Sequence, residues 1–199
     1  MVLVSQSKLR VLTLDIETRH LAVDVGGWSR MLAGAGGISA VVVHDSVTNR
    51  FHCFNDTCLE ELAQFIEQPG TVVCSFNGAR FDIPVIEAIL GRSLAIPHHF
   101  DLLALIWAAL APGEPKRANA LREVAHRTLG AGKTGESEMA PVLAKAGKWL
   151  TLFRYCKNDV DLTRRLFDFA RQYGGIISHS GEVLDLNLPD WFRLEATHE

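Results

Sequence analysis

Cysteine is scarce in this chain and never paired as CxxC. Cys53, Cys58, Cys74 and Cys156 show neither zinc-ligand nor redox-motif spacing. They read as reduced core residues, in line with the burial preference of free cysteine. Long hydrophobic runs are missing too. No stretch approaches membrane-spanning length, and the first ten residues, MVLVSQSKLR, lack the apolar core of a secretory signal. A soluble cytoplasmic protein with no membrane partner is therefore expected. Nor is there an excess of positive charge, because 20 Lys and Arg face 23 Asp and Glu, for a net charge of −3. That excludes a protein that coats nucleic acid by bulk electrostatics. It leaves open one that touches a few phosphates, since bound metal would reverse the local sign. Repeats and low-complexity linkers are likewise absent. What remains is an ordinary apolar content in 199 residues, enough for one core, and residues 1–199 read as a single domain.

Hydrophobic patterning gives buried strands at 10–16 and 38–44, a further strand at 49–54 after a turn, and another at 71–76. Residues 57–67 read as an amphipathic helix capped by Thr57, with Glu60 completing a capping box. Beyond residue 80 the pattern turns helical, over 82–90, 101–110, 118–128, 137–146 and 149–172. A hairpin about Ser180-Gly181 is expected within 175–188. Three strands, a helix, a strand and then helices suit an α/β sheet with an antiparallel portion and helices on its faces. The Gly-rich segment 19–36 around Trp28 reads either as a functional loop or as a mobile surface one.

Four acidic residues interrupt or border the apolar runs: Asp15 and Glu17 in VLTLDIET, Asp82 in CSFNGARFDIPVI, and Asp159 in FRYCKNDVDLT. A carboxylate in such a place is costly unless it is paired or bound to a cation. Alternation along a strand points Asp15 and Glu17 the same way, with Ile16 opposite. The bland alternative is a strand end that reaches solvent. Asp82 falls near a helix start, where the helix dipole alone would favour it. Tyr155 and Asp159, four apart on a helix, share one face, whereas Asp161 points elsewhere. Taken together, the four carboxylates suggest one site for divalent metal, and such sites cut phosphodiester bonds.

In this order, LDIET, NGARFD and YCKND resemble the motifs of the DEDD 3′–5′ exonuclease superfamily. The Tyr-x3-Asp spacing resembles its DEDDy branch, and the chain as a whole is similar to the ribonuclease-H-like predicted exonuclease group. The similarity runs through FDLLAL at 100–105 and NALREVAHRTLGAGKTG at 119–135 to the hairpin near Trp191. The resemblance implies an α/β ribonuclease-H-like fold with a mixed five-stranded sheet flanked by helices and a C-terminal β-hairpin. It implies that Asp15, Glu17, Asp82 and Asp159 hold two Mg²⁺ or Mn²⁺ ions, and that Tyr155 orients the attacking water. The implied substrate is the 3′ end of single-stranded DNA or RNA, DNA favoured, cut to nucleoside monophosphates. A helicase or polymerase is the partner the resemblance allows. Ile16, Thr18, Asn77 and Phe81 are expected around the terminal nucleotide, Phe81 either stacking on it or packing beneath.

Other features carry less. Asp101 reads as the cap of helix 101–110 rather than a fifth ligand. GAGKTG at 130–135 lacks the first glycine of a phosphate loop, Arg127 standing there, and it follows a helix rather than a strand. Lys133 is kept only as a contact to a substrate phosphate. Lys116, Arg117, Arg122 and Arg127 read either as a solvated helix face or as a strip that tracks a nucleic-acid strand.

Overall fold

The computed structural model describes residues 9–132 and 138–194, so Lys133 lies outside the described residues. Its sheet runs in the order β3-β2-β1-β4-β5. β1 (Arg10–Thr18), β2 (Ile38–Asp45) and β3 (Arg50–Phe54) form an antiparallel meander. β4 (Thr71–Ser75) and β5 (His98–Asp101) pair parallel on the other side of β1. β5 supplies the fifth strand of the expected mixed sheet, in four residues directly ahead of helix α4 (Leu102–Ala109). Among the described residues, β6 (Gly175–Ile177) and β7 (Val183–Asp185) make the expected hairpin, and Gly181 in its turn has φ 88°.

Both faces of the sheet are buried, which is why the central strands read as continuous apolar runs. On one face Leu12, Leu14, Val41, Val43 and Val73 pack against α2 (Leu59–Ile66) and α3 (Asp82–Leu90). On the other, Val11, Val72 and Cys74 meet α4, α5 (Leu121–Leu129) and α7 (Trp149–Tyr173). The short α6 (Met139–Lys145) packs on the N-terminal part of α7.

The start of the first long helix differs from its expected form. Asn55, not Thr57, supplies the cap: its Oδ1 accepts from the Thr57 amide at 2.9 Å and from the Thr57 hydroxyl at 2.7 Å. A 3-10 turn, Asp56–Cys58, then precedes α2. The cysteine expectation holds for Cys74 and Cys156, which are buried, but Cys53 on edge strand β3 is exposed. Alternation on a half-covered strand places it outward.

Segment 19–36 is not extended loop. It contains a 3-10 turn, Ala22–Val25, a single helical turn α1 (Trp28–Arg30) and a wider turn, Met31–Ala35. The amides of Arg19 and His20 donate to the Gly36 carbonyl and close its base, and Met31 is buried beneath it. The segment packs closely on α3, where a side chain at Gly34 would meet Ile89 at 2.9 Å.

At the far end Phe192 is fully buried, stacks on Phe100 at 4.3 Å and carries the Arg171 guanidinium at 4.8 Å. Phe192→Ala is therefore expected to cost about 3–5 kcal/mol in urea unfolding. A loss under about 1 kcal/mol would show the C-terminal turn to be peripheral to the core.

Candidate functional site

Past Thr13, β4 no longer lies opposite β1. The chain opens there into a cleft of about 250 Å³ at the carboxyl end of β1. Asp15, Glu17, Asp82 and Asp159 line it, together with Ile16, Thr18, Asn77 and Phe81. Three stretches far apart in sequence thus deliver four carboxylates to one cavity. Tyr155 is not among the lining residues. It lies one turn before Asp159 on α7, buried with Ala40, Leu143, Ala144 and Leu152 under α6.

Each motif has a local reason for its place. The Ile16 amide, left without a strand partner, donates to the Asp82 carboxylate at 2.9 Å. This bond ties the DIE stretch to the first residue of α3. A bulge between Glu17 and Thr18 ends regular pairing with β2, and the Ser39 hydroxyl donates to the Glu17 carbonyl at 3.0 Å. Such irregularities re-aim side chains at strand ends. The Thr18 hydroxyl donates to the His20 carbonyl at 2.8 Å, so it serves the loop as well as bordering the cleft.

Asp82 is 3% exposed. Loss of hydration pushes its carboxyl up to about 7, the nearby Asp101 adding to the shift and the Ile16 amide opposing it. A carboxyl held in this way among three others is a donor set short of positive charge. Four oxygen-bearing side chains on one cleft fit hard divalent cations such as Mg²⁺ or Mn²⁺.

Cys156 is a neighbour that the sequence did not reveal. Its Sγ and carboxylate oxygens of Asp15 and Glu17 all lie within 4.8 Å of one another. Burial first, then the charges of Asp15, Glu17 and Asp159, hold the thiol well above its usual range. It therefore stays protonated and donates to the Asp15 carbonyl at 3.3 Å. That is the work of an orienting donor, since a soft ligand would have to be a thiolate.

Leu21, Ala22, Trp28, Met31 and Phe76 also line the cleft and were not assigned to the site by sequence. Trp28 lines the cleft, 67% exposed, and meets Phe81 edge to face at 6.0 Å. Phe81 itself does both things considered for it, bordering the cleft and packing partly on the core beneath. Asp101 caps α4 as expected, accepting from Leu103 at 3.0 Å. It also accepts from the amides of Asn77 at 2.8 Å and Ala79 at 2.9 Å, and so fastens the turn that leads into Asp82. Within that turn Asn77 has φ 70°, and a side chain at Gly78 would meet Ser75 at 2.4 Å. Only glycine fits there without displacing the turn.

The RNase_H superfamily model matches residues 12–171. The chain belongs to the RNase_H superfamily. The match takes in every strand of the five-stranded sheet except the first two residues of β1, and every carboxylate of the cleft. No curated protein matches. Among solved structures, the family B DNA polymerase from the hyperthermophilic archaeon Pyrobaculum calidifontis is similar, with a TM-score of 0.60 and 18% identity. The likeness covers 90% of this chain and 26% of the polymerase chain, so this RNase_H superfamily member spans about a quarter of that protein. At this identity the likeness is one of fold.

Two outcomes are expected of the site. In cation-free buffer, stability should fall as pH rises from about 4 through 7, because folded Asp82 keeps a proton that the unfolded chain has released. Added Mg²⁺ should restore stability most at the high end, and Asp82→Asn should flatten the slope; an unchanged slope in thermal unfolding would refute this. Asp101→Asn should lower stability by about 1–3 kcal/mol through weaker bonds to Asn77 and Ala79. Loss of the fold itself, seen by circular dichroism, would mean that the turn carries more than this.

Proposed function

We propose that this protein is a metal-dependent 3′–5′ exonuclease of the DEDDy type, acting on single strands with DNA favoured. The carrying observation is the convergence of Asp15, Glu17, Asp82 and Asp159 on one cleft. Membership of the RNase_H superfamily and the polymerase-like fold support it.

In this reading the four carboxylates would hold two Mg²⁺ or Mn²⁺ ions, which when bound would supply charge neutralisation for the phosphoryl group and a lower pKa for water. Everything else is done by the chain. Water attacks the last phosphodiester, the P–O3′ bond breaks, and the products are a nucleoside 5′-monophosphate and a strand ending in 3′-OH. Cys156 steadies Asp15 through thiol contacts to its carbonyl at 3.3 Å and to its carboxylate at 3.6 Å. Asp82 is fixed by the Ile16 amide, so its carboxylate needs little reorganisation. Tyr155, on the same face of α7 as Asp159, is assigned to orient the water. Trp28 and Phe81 offer aromatic surface at the cleft for the terminal base, a contact that tolerates any base. An unpaired end enters such a cleft without the cost of fraying, which is the basis for the single-strand preference.

The same reading treats residues 1–199 as one catalytic domain working in the cytoplasm, alone or beside a helicase or polymerase. RNA is the competing substrate, and discrimination would rest on contacts to the 2′-hydroxyl.

The test uses 5′-labelled single-stranded DNA and RNA of one sequence, with Mg²⁺, with Mn²⁺ and with chelator. A ladder shortening from the 3′ end is expected with either metal and not with chelator. Asp15→Ala and Asp159→Ala should abolish it. Tyr155→Phe should slow turnover by about 10²-fold or more while leaving metal-dependent thermal stabilisation intact. No cleavage of either strand by folded, metal-stabilised protein would make this a binding module instead.

A further inference from the structure

The basic strip read in the sequence comes apart in the structure. Arg127 pairs with Glu123 at 2.8 Å on the exposed face of α5, which accounts for that residue. The Lys116 end joins a residue from elsewhere. The Arg80 guanidinium lies 5.0 Å from the ring centre of Trp107, and the Lys116 ammonium lies 5.7 Å from the same ring. The Trp107 Nε1–H donates to the Lys116 carbonyl at 3.0 Å, which pins the two segments together. Arg80, Lys116 and the following Arg117 are all exposed. None of the three forms an ion pair among the described residues.

Position gives this patch its meaning. Arg80 closes the turn that begins at Asn77, its amide donating to the Asn77 carbonyl at 3.1 Å. Asn77 lines the carboxylate cleft, and two residues after Arg80 comes Asp82. Asp101 bolts the same turn to the N-terminus of α4, the helix that carries Trp107. One rigid connection therefore runs from the cleft to the cations. The aromatic ring holds both positive groups in place without neutralising them. On a chain of net charge −3, a fixed cluster of cations that form no ion pair among the described residues, joined through the Asn77 turn to the acidic cleft, is complementary to a polyanion that must end in that cleft.

We infer that Arg80 and Lys116, ordered on Trp107, form a landing for the phosphodiester backbone of a nucleic-acid strand whose 3′ end occupies the carboxylate cleft. This rests on the reading of the cleft given above. Contacts of this kind are indifferent to sequence and lengthen the footprint beyond the terminal nucleotide.

The experiment measures fluorescence anisotropy of 5′-labelled oligo(dT) of three and twelve nucleotides. It is done in the Asp159→Ala background with Mg²⁺, over a range of salt. Arg80→Ala with Lys116→Ala should weaken the twelve-mer about tenfold and the three-mer much less. Each substitution should also flatten the log–log salt dependence by about 0.7. Arg127→Ala is the control, expected to change neither. A salt slope and twelve-mer affinity equal to those of the background protein would overturn the assignment and leave the patch to an acidic protein partner. Hydrolysis of the three-mer by the otherwise unaltered protein is read in parallel. If it occurs while the patch variants bind normally, the landing is wrong and the nuclease reading stands. If it is absent while the patch variants lose binding, the reverse holds.

Discussion

A carboxylate that has lost its water and is held by one strand amide governs the geometry of this molecule. The Asp82–Ile16 bond is the point where strand β1, the turn after β4 and the start of α3 meet. The amide is available only because β4 stops pairing with β1 beyond Thr13. The sheet thus has to end where it does for Asp82 to have a partner, and Asp82 has to be buried for its charge to matter. Its proton affinity, the opening of the cleft and the approach of the Asn77 turn all follow from that placement.

The surroundings are arranged to keep this carboxylate in position rather than to comfort it. Asp101 could have been a simple helix cap, yet two of its hydrogen bonds go to the preceding turn. Those bonds bring a second negative charge close to Asp82 and raise its proton affinity further. Cys156 gives a hydrogen to the Asp15 carbonyl without adding charge. One acid is made more reluctant to ionise, while the strand segment that carries its neighbour is braced by a neutral donor. A folded core alone has no use for such an arrangement, whereas perturbed carboxyls gathered in a cleft are characteristic of functional sites.

Much of this was legible in the sequence, and all but one of the misses share a cause. The DIE stretch, the long helix with Tyr155 and Asp159, and the hairpin about Ser180-Gly181 were carried by local period and turn chemistry. By residue pattern alone β5 went unread, because four residues beginning with two histidines carry no strand signal and become a strand only by pairing with β4. Trp28 sits in a glycine-rich segment without periodicity, so its place on the cleft comes wholly from packing on α3. The second role of Asp101 and the meeting of Arg80 with Lys116 join residues more than twenty positions apart. The Thr57 cap failed for a smaller reason: Asn55, two residues earlier, is the better acceptor and captured the turn.

The thiol contact between Cys156 and Asp15 spans 141 positions of the chain. On a ribosome adding about 5–20 residues per second, the first two carboxylates wait roughly seven to thirty seconds for the last one. Throughout that interval the emerging polypeptide carries an unfinished cavity. The long final helix therefore sets the clock: the cleft with its four carboxylates comes into being only once Asp159 has been made.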